Sequence, residues 1–106
     1  MKGTYKQISQ LDALKLMKEE KGCIILDVRR PDEYRPGHIP GAVNLPLETI
    51  GAEEPALLPD KSQMILVYCR SGQRSKMAAQ KLADMGYENI IEFGGIMTWI
   101  GDITDQ

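Results

Sequence analysis

The class of fold is indicated most clearly by one stretch of the chain, Met64-Ile65-Leu66-Val67-Tyr68-Cys69-Arg70-Ser71-Gly72-Gln73-Arg74-Ser75. An apolar, β-prone run ends at a cysteine, a short loop containing Gly72 follows, and a helical pattern begins near Ser75. A thiol placed there lies at the carboxyl end of a strand and faces the backbone N–H groups of the loop and the next helix, which together form an anion site. Two guanidinium groups, Arg70 and Arg74, flank it. This setting favours the thiolate, which is the nucleophilic form.

Composition sets the broad class of protein. A chain of 106 residues is long enough for one domain with one core, so we predict a single domain over residues 1–106. The net charge of -2 and the pI near 5.4 argue against a general affinity for nucleic acid or for an anionic membrane. No apolar run approaches the roughly 18 residues that a membrane span needs.

The two cysteines, Cys23 and Cys69, are too few for a disulfide framework. The N-terminal residues are polar and lack the apolar core of a secretory signal peptide. We therefore expect a cytoplasmic protein, because a nucleophilic thiol persists in a reducing compartment. Cys23 opens an apolar strand, and we interpret it as a buried structural thiol.

Apolar strand-length runs alternate with helical patterns along the chain. We predict strands near residues 5–8, 23–28, 42–45, 64–68 and 90–93, and helices near 10–20, 52–58 and 75–85. A helical turn is expected around Asp32–Tyr34, and a short helix after Gly94-Gly95. This alternation predicts an α/β fold with a mostly parallel sheet, in which ligands bind beyond the carboxyl ends of the strands.

The loop after the central strand carries the candidate chemistry. We assign Cys69 as the catalytic nucleophile, and we assign substrate binding to the loop that follows it, made of Arg70, Ser71, Gly72, Gln73, Arg74 and Ser75. Inward-pointing N–H groups and the start of the next helix favour the thiolate and bind an oxyanion. A buried strand-end cysteine beside a basic surface loop is the alternative interpretation, and it leaves the glycine and both arginines unexplained.

Three segments of the chain resemble the rhodanese (sulfurtransferase) superfamily. The loop Cys69-Arg70-Ser71-Gly72-Gln73-Arg74-Ser75 is similar to the active-site loop of that family. An upstream signature runs from Leu26-Asp27-Val28-Arg29 to Gly37-His38-Ile39-Pro40-Gly41-Ala42-Val43-Asn44-Leu45-Pro46. A closing signature is Phe93-Gly94-Gly95-Ile96-Met97-Thr98-Trp99. The resemblance extends from about Tyr5 to Trp99, and the presence of three motifs in order makes it specific.

The resemblance implies a three-layer rhodanese-like fold, with a central five-stranded sheet and helices on both faces. It also implies that the Cys69 thiolate takes the outer sulfur of a donor such as thiosulfate, becomes a persulfide, and passes the sulfur to cyanide or a thiol. The implied acceptors include thioredoxin and low-molecular-weight thiols. Neither a metal nor an organic cofactor is expected. Arg70 favours thiosulfate over 3-mercaptopyruvate, because mercaptopyruvate-type loops resemble Cys-Gly-x-Gly and lack that charge.

Two other functions remain as alternatives. The spacing from Cys69 to Arg74 is Cys-x4-Arg, whereas cysteine phosphatases of related fold look like Cys-x5-Arg, so a phosphatase or arsenate reductase is the second enzymatic interpretation. The shorter loop makes a smaller cradle, which suits a sulfur atom better than a phosphoryl group. A persulfide relay or binding module, serving the thiol of a partner protein, is the hypothesis from a different class.

Supporting residues are interpreted from their positions. Asp27 ends a buried strand, so we expect it to accept hydrogen bonds from the loop or to hold Arg74, and a cap on the turn after the strand is the alternative. Arg29 is expected to pair with Glu33 or Asp32, or to contact substrate, and Glu33 is expected to have a structural role. For His38, ordering of the loop between strands is favoured over a role as general base. For Trp99, core packing is favoured over contact with substrate.

Overall fold

The computed structural model describes residues 3–106 and contains one five-stranded sheet in the order β1-β5-β4-β2-β3, with every neighbouring pair parallel. The strands are β1 (Lys6–Gln7), β2 (Ile24–Asp27), β3 (Val43–Asn44), β4 (Ile65–Cys69) and β5 (Ile90–Gly95). The helices are α1 (Gln10–Glu19), α2 (Pro31–Tyr34) and α3 (Gln73–Asp84), and 3₁₀ turns occur at Leu47–Thr49 and Ile96–Thr98. None of the helices described is long and apolar enough to cross a bilayer.

Strand β4 occupies the centre of the sheet because every one of its residues is apolar enough to be buried on one face or the other. All five of its residues are buried, as expected for a parallel strand covered on both sides. One core lies on the α3 side and includes Val67 and Leu82, and the other lies on the α1 side and includes Ala13 and Phe93. The predicted three-layer arrangement is confirmed.

The ends of the two long helices follow local signals. The side chain of Ser9 accepts a hydrogen bond from the Asp12 N–H and caps α1, as predicted. Helix α3 begins at Gln73, two residues before the predicted start at Ser75, because Gly72 takes a left-handed φ of 105° and turns the chain into the helix. Gly86, with a φ of 100°, follows the end of α3.

The helix predicted near residues 52–58 is wrong. Pro55 lies in the middle of that segment and cannot donate a backbone hydrogen bond, so the chain forms only a turn closed by the Leu58 N–H and the Pro55 carbonyl at 3.0 Å. Leu58 itself is buried, and its carbonyl accepts the Tyr87 hydroxyl at 2.6 Å. The segment is held by this tertiary contact. The short helix predicted after Gly95 is a 3₁₀ turn at Ile96–Thr98.

The strand order places the candidate site at the centre of the sheet. The chain leaves β2 toward β3 on one side and leaves β4 toward β5 on the other, so the direction of winding reverses between β2 and β4. In open α/β sheets, a crevice forms beyond the carboxyl ends of the strands at the point where the winding reverses. Asp27 ends β2 and Cys69 ends β4, so both lie at the carboxyl ends of the strands, beside this crevice.

Candidate active site

Cys69 is the last residue of β4, and its side chain is turned into the loop that follows. The residue is 1% exposed, and the Gly72 N–H donates to its Sγ at 3.0 Å. The Ser75 Oγ, in the first turn of α3, lies 3.4 Å from the same sulfur. A backbone donor and the start of a helix therefore meet at the thiol, as the sequence predicts, and this environment stabilises negative charge on sulfur.

The two glycines at the end of β5 allow the loop to lie against the sheet. A Cβ atom on Gly95 would stand 2.0 Å from the Arg70 carbonyl oxygen, so only glycine fits there. Gly94 has a φ of 99°, and the pairing of β4 with β5 shifts by one residue at this point. The Met97 N–H then donates to the same Arg70 carbonyl at 3.2 Å. The Gly-Gly segment thus fixes the position of the loop.

Arg74 forms a two-pronged ion pair with Glu33 of α2. Its Nη1 lies 2.6 Å from Oε1 and its Nη2 lies 2.9 Å from Oε2. The hydrogen bond from Arg74 lowers the pKa of the Glu33 carboxyl to about 2. Glu33 also accepts the Arg30 N–H at 3.0 Å, which ties it to the start of α2. The predicted structural role of Glu33 is confirmed, and its partner is a guanidinium of the candidate loop.

Arg70 presents a second guanidinium at the surface of the loop. It is exposed, and within residues 3–106 it makes neither an ion pair nor a side-chain hydrogen bond. Lys76, one turn into α3, is exposed as well. In contrast, Arg74 uses two of the five guanidinium N–H groups on Glu33 and retains the others. Two exposed cations, Arg70 and Lys76, therefore lie in the loop and in the first turn after it, although the whole chain is acidic.

The predicted contacts of Asp27 and Arg29 are wrong. Asp27 is fully buried, and its carboxylate accepts from Arg29 Nε at 3.0 Å and from Arg29 Nη2 at 2.7 Å, so it holds neither Arg74 nor the loop amides. Its Oδ1 also accepts the Arg29 backbone N–H at 2.9 Å, which confirms the alternative that Asp27 caps the turn after the strand. Arg29 also donates to the Gly37 carbonyl at 2.7 Å, and it does not pair with Glu33 or Asp32. Arg29 folds back onto the preceding strand, because α2 turns the Glu33 carboxylate toward α3. The pair joins β2 to the segment before β3.

The other motif residues are structural. Both ring nitrogens of His38 contact backbone carbonyls, of Tyr34 at 2.8 Å and of Gln106 at 3.1 Å, and the ring stacks on Tyr34. Trp99 packs with Phe93, with ring centroids 5.4 Å apart, on the α1 side of the sheet. These observations confirm the structural interpretation of His38 and the core packing of Trp99.

Cys23 is half-buried and not buried as expected, because it precedes β2, and it lies at the opposite end of the strands from Cys69. It precedes β2, whose first residue pairs with the first residue of β4, and Cys69 ends β4. Along the strand direction, Cys23 and Cys69 are five residues apart, or roughly 16 Å, which is far beyond the reach of a disulfide. Burial raises the pKa of the Cys23 thiol, which keeps it protonated. Cys23 therefore neither resolves an oxidised Cys69 nor competes with it as a nucleophile.

Glu92 is the residue of the site that the sequence analysis missed. It stands in the middle of β5, is 2% exposed, and places Oε2 at 2.6 Å from the Ser75 Oγ. The signal was a single charged residue inside the apolar run of Ile90-Ile91-Glu92-Phe93, in a strand covered on both faces. A charged residue in such a strand needs a hydrogen-bond partner. Here the partner is Ser75, whose hydroxyl also lies next to the Cys69 sulfur.

Open depressions elsewhere on the surface do not reach the thiol. One of about 650 Å³ lies between the segment after β3 and α3, and includes Ile50, Gly51 and Lys81. Another of about 200 Å³ lies on the α1 side and includes Met17, Ile39 and Trp99. Residues 3–106 contain no group of three or more His, Cys, Asp or Glu side chains arranged to hold a metal ion.

Known proteins share both the sequence and the fold. The profile of the rhodanese-like domain matches residues 10–102. The thiosulfate sulfurtransferase GlpE of Coxiella burnetii is 38% identical over 96 residues, which cover 90% of this chain and 87% of that protein. The thiosulfate sulfurtransferase PspE of Escherichia coli is 37% identical over 71 residues, covering 67% of this chain and 68% of PspE. The solution structure of a rhodanese-like domain from Anabaena has a TM-score of 0.84 and 27% identity, covering 97% of this chain and 81% of that one. The chain belongs to the rhodanese-like domain family.

Proposed function

We propose that this protein is a sulfurtransferase that carries sulfur as a persulfide on Cys69, with thiosulfate or a similar sulfane compound as donor and a thiol as acceptor. The observation that carries the proposal is the Cys69 sulfur at the end of β4, which receives the Gly72 N–H at 3.0 Å and faces the start of α3. The two curated relatives, GlpE and PspE, are named thiosulfate sulfurtransferases, which supports the donor class.

In the first half of the reaction the Cys69 thiolate attacks the outer sulfur of thiosulfate. A new S–S bond forms to Sγ, the S–S bond within thiosulfate breaks, and sulfite leaves with the electron pair. Sulfite and the sulfonate end of thiosulfate are anionic, so we expect Arg70 and the N–H groups of Arg74 that do not contact Glu33 to stabilise them. No group is needed to remove a proton at this step if the thiolate is already formed.

In the second half a thiolate of the acceptor attacks the outer sulfur of the persulfide. The acceptor gains that sulfur, the S–S bond to Sγ breaks, and Cys69 leaves as a thiolate that the Gly72 N–H again stabilises. The loop amides thus serve the nucleophile and the leaving group alike. We place this cycle in a reducing compartment such as the cytoplasm, because both half-reactions need free thiols.

The acceptor thiol belongs to a small molecule or to a protein, and two exposed apolar side chains that follow β5 favour a protein. Met97, whose backbone N–H contacts the loop at the Arg70 carbonyl, is 66% exposed, and Ile100 is 58% exposed. A small thiol would gain little from these side chains, whereas a docking protein would bury them. In that case thioredoxin or another partner thiol is the acceptor, and turnover of cyanide is incidental.

The proposal is tested by the intact mass of the protein after incubation with thiosulfate. We expect a gain of one sulfur atom that thioredoxin or dithiothreitol removes, that is absent in Cys69→Ser, and that is retained in Cys23→Ser. Because Cys23 lies at the opposite end of the strands, its variant is the matched control for thiol number. No mass gain with any sulfane donor, or a gain that survives in Cys69→Ser, contradicts the proposal.

A further inference from the structure

Glu92 is a buried carboxylate without a cationic partner. It is 2% exposed, and none of the ion pairs within residues 3–106 includes it. Its hydrogen-bond partners are the Gly94 N–H at 2.9 Å, the Gln7 side-chain amide at 3.3 Å and the Ser75 hydroxyl at 2.6 Å. A buried carboxylate with only neutral partners depends on its hydrogen bonds, and the shortest of these is the one with the Ser75 hydroxyl.

The Ser75 hydroxyl lies between this carboxylate and the thiol. Its Oγ stands 2.6 Å from Glu92 Oε2 and 3.4 Å from Cys69 Sγ. The backbone carbonyls of Gly72 and Gly94 are the other polar atoms near it, at 3.1 and 3.4 Å. A hydroxyl has one proton to donate and can accept at the same time. Ser75 can therefore donate to only one of the two acids and must accept from the other.

Two proton arrangements satisfy this chain of hydrogen bonds. In one, Cys69 is a thiol that donates to Ser75, and Ser75 donates to the Glu92 carboxylate. In the other, Glu92 is protonated and donates to Ser75, and Ser75 donates to the Cys69 thiolate. If both acids were ionised, one of them would lack the hydroxyl proton, and two like charges would lie close together in the interior. One negative charge and one shared proton fit the geometry best.

We propose that Cys69 and Glu92 share one proton through the Ser75 hydroxyl. When the nucleophile forms, the Sγ–H bond breaks as a Ser75 O–H bond forms, and the original Ser75 O–H bond breaks as a Glu92 O–H bond forms. Nothing is oxidised, and the total charge of the site is unchanged. When the sulfur has been passed on and Cys69 leaves as a thiolate, the proton returns by the reverse exchange. The inference deepens the proposed function and rests on Cys69 being its nucleophile.

Other charged groups around the pair are already partnered or lie at the loop surface. Arg74 of α3 is the cation whose pKa is raised mainly by its hydrogen bond with Glu33, and to a smaller extent by Cys69. On β2, the Asp27 carboxylate is neutralised by Arg29. Among the other groups on adjoining elements, Gln7 and Gln10 are neutral amides, and Lys6, Arg70 and Lys76 are exposed cations. None of them takes the place of Ser75 between the two acids.

The test is the pH dependence of the alkylation of Cys69 by iodoacetamide, read from the Cys69 peptide of the full chain by mass spectrometry. Two acids that share a proton lose their protons in two macroscopic steps. In the native protein we therefore expect the rate to rise to a plateau at low pH, when the pair loses its first proton, and to rise again when the second proton leaves. This readout follows the thiol alone and requires no sulfur donor.

Two variants separate the shared proton from a general structural role of the carboxylate. In Glu92→Gln we expect a single rise to the full rate, because Cys69 is then the only acid. In Ser75→Ala we expect the two steps to move closer together in pH, because the singly protonated pair loses two hydrogen bonds and the doubly ionised pair loses one. Glu88→Gln is the matched control, since it removes an exposed carboxylate near the start of the same strand, and it should leave both steps in place.

A single step in the native protein overturns the inference, as do two steps that persist in Glu92→Gln. The native profile needs no variant, so misfolding of a variant does not remove the test. Failure of the proposed function gives a different pattern, in which the two-step alkylation is present but thiosulfate adds no sulfur to Cys69. Sulfur transfer with a single alkylation step supports the proposed function and rejects the shared proton.

Discussion

Glu33 holds the guanidinium of Arg74, the residue at the end of the candidate loop. Both oxygens of Glu33 accept from Arg74, and the side chain of Glu33 is largely removed from solvent. A planar guanidinium held at two points keeps its remaining N–H groups in a fixed direction, which lysine cannot reproduce. The ion pair therefore connects α2, which carries no group that reacts, to the electrostatics around Cys69.

This ion pair makes the stability of the protein depend on pH in a defined window. The pKa of Glu33 is about 2 in the folded protein, lowered mainly by Arg74 from an ordinary value of 4.5. Because the folded value is the lower one, the stabilisation is fully present above about pH 4.5 and is lost as the pH falls toward 2. We expect Glu33→Gln to be less stable than the native protein at pH 7 and to approach it in stability as the pH falls through this window.

Urea unfolding at a series of pH values measures this difference. Glu19→Gln is the control, because Glu19 is an exposed carboxylate of α1 without a side-chain hydrogen bond within residues 3–106. Its stability relative to the native protein should change little with pH. A gap between Glu33→Gln and the native protein that stays constant from pH 7 to pH 2 contradicts the role assigned to the ion pair.

At the scale of elements, the sequence predicts the strands and helices that carry their own signals. Strand β4 is a continuous apolar run and α1 has a serine cap, so their positions follow from local chemistry. The segment 52–58 has weak periodicity and contains Pro55, and it is held by the contact between Tyr87 and Leu58. Contacts of that kind depend on the arrangement of the whole chain and are not visible in a short window of sequence.

The approach of β5 to the loop gives a prediction at this scale. Gly95→Ala would place a Cβ atom 2.0 Å from the Arg70 carbonyl oxygen. The backbone fixes the position of both atoms, so neither can rotate away. We expect a loss of at least about 2 kcal/mol in the free energy of unfolding, the range found for overpacked sites, together with loss of persulfide formation. Denaturant unfolding and the intact-mass assay measure the two effects.

Gly22→Ala is the matched control for that substitution. A Cβ atom on Gly22 has nothing within 4 Å, so the same added methyl group meets open space. We expect that variant to keep both the stability and the persulfide of the native protein. If Gly95→Ala behaves like Gly22→Ala, the loop is not fixed by its contact with β5.

At the scale of the whole molecule, the candidate site is predicted only in part by the sequence. The Cys69 loop is continuous in the chain, so its chemistry can be read directly. The pairing of Arg74 with Glu33 depends on which helix faces which strand end. Glu92 reaches Cys69 through Ser75 only because β5 lies next to β4 in the sheet. Such relations follow from strand order, which local patterns do not specify.

The charge of the whole molecule opposes its proposed donor, and the loop must offset that opposition. The net charge is -2 and thiosulfate is a dianion, so the long-range field of the protein repels it. The exposed cations Arg70 and Lys76 act only near the loop, because salt screens charges beyond about 10 Å at 0.1 M ionic strength. Capture of the donor therefore depends on a local positive region within an acidic surface.

Arg70→Gln tests this balance. We expect kcat/KM for thiosulfate to fall by about tenfold at low salt, the lower range for electrostatic steering, and to depend less on ionic strength than in the native protein. The control is Lys15→Gln, which makes the same change in net charge at an exposed position of α1, away from the loop. Steady-state rates between low and physiological salt measure both effects. If the two variants lose kcat/KM equally, the net charge governs capture of the donor and Arg70 has no local role; if Arg70→Gln alone loses it, the guanidinium at the loop overcomes the field of the rest of the chain.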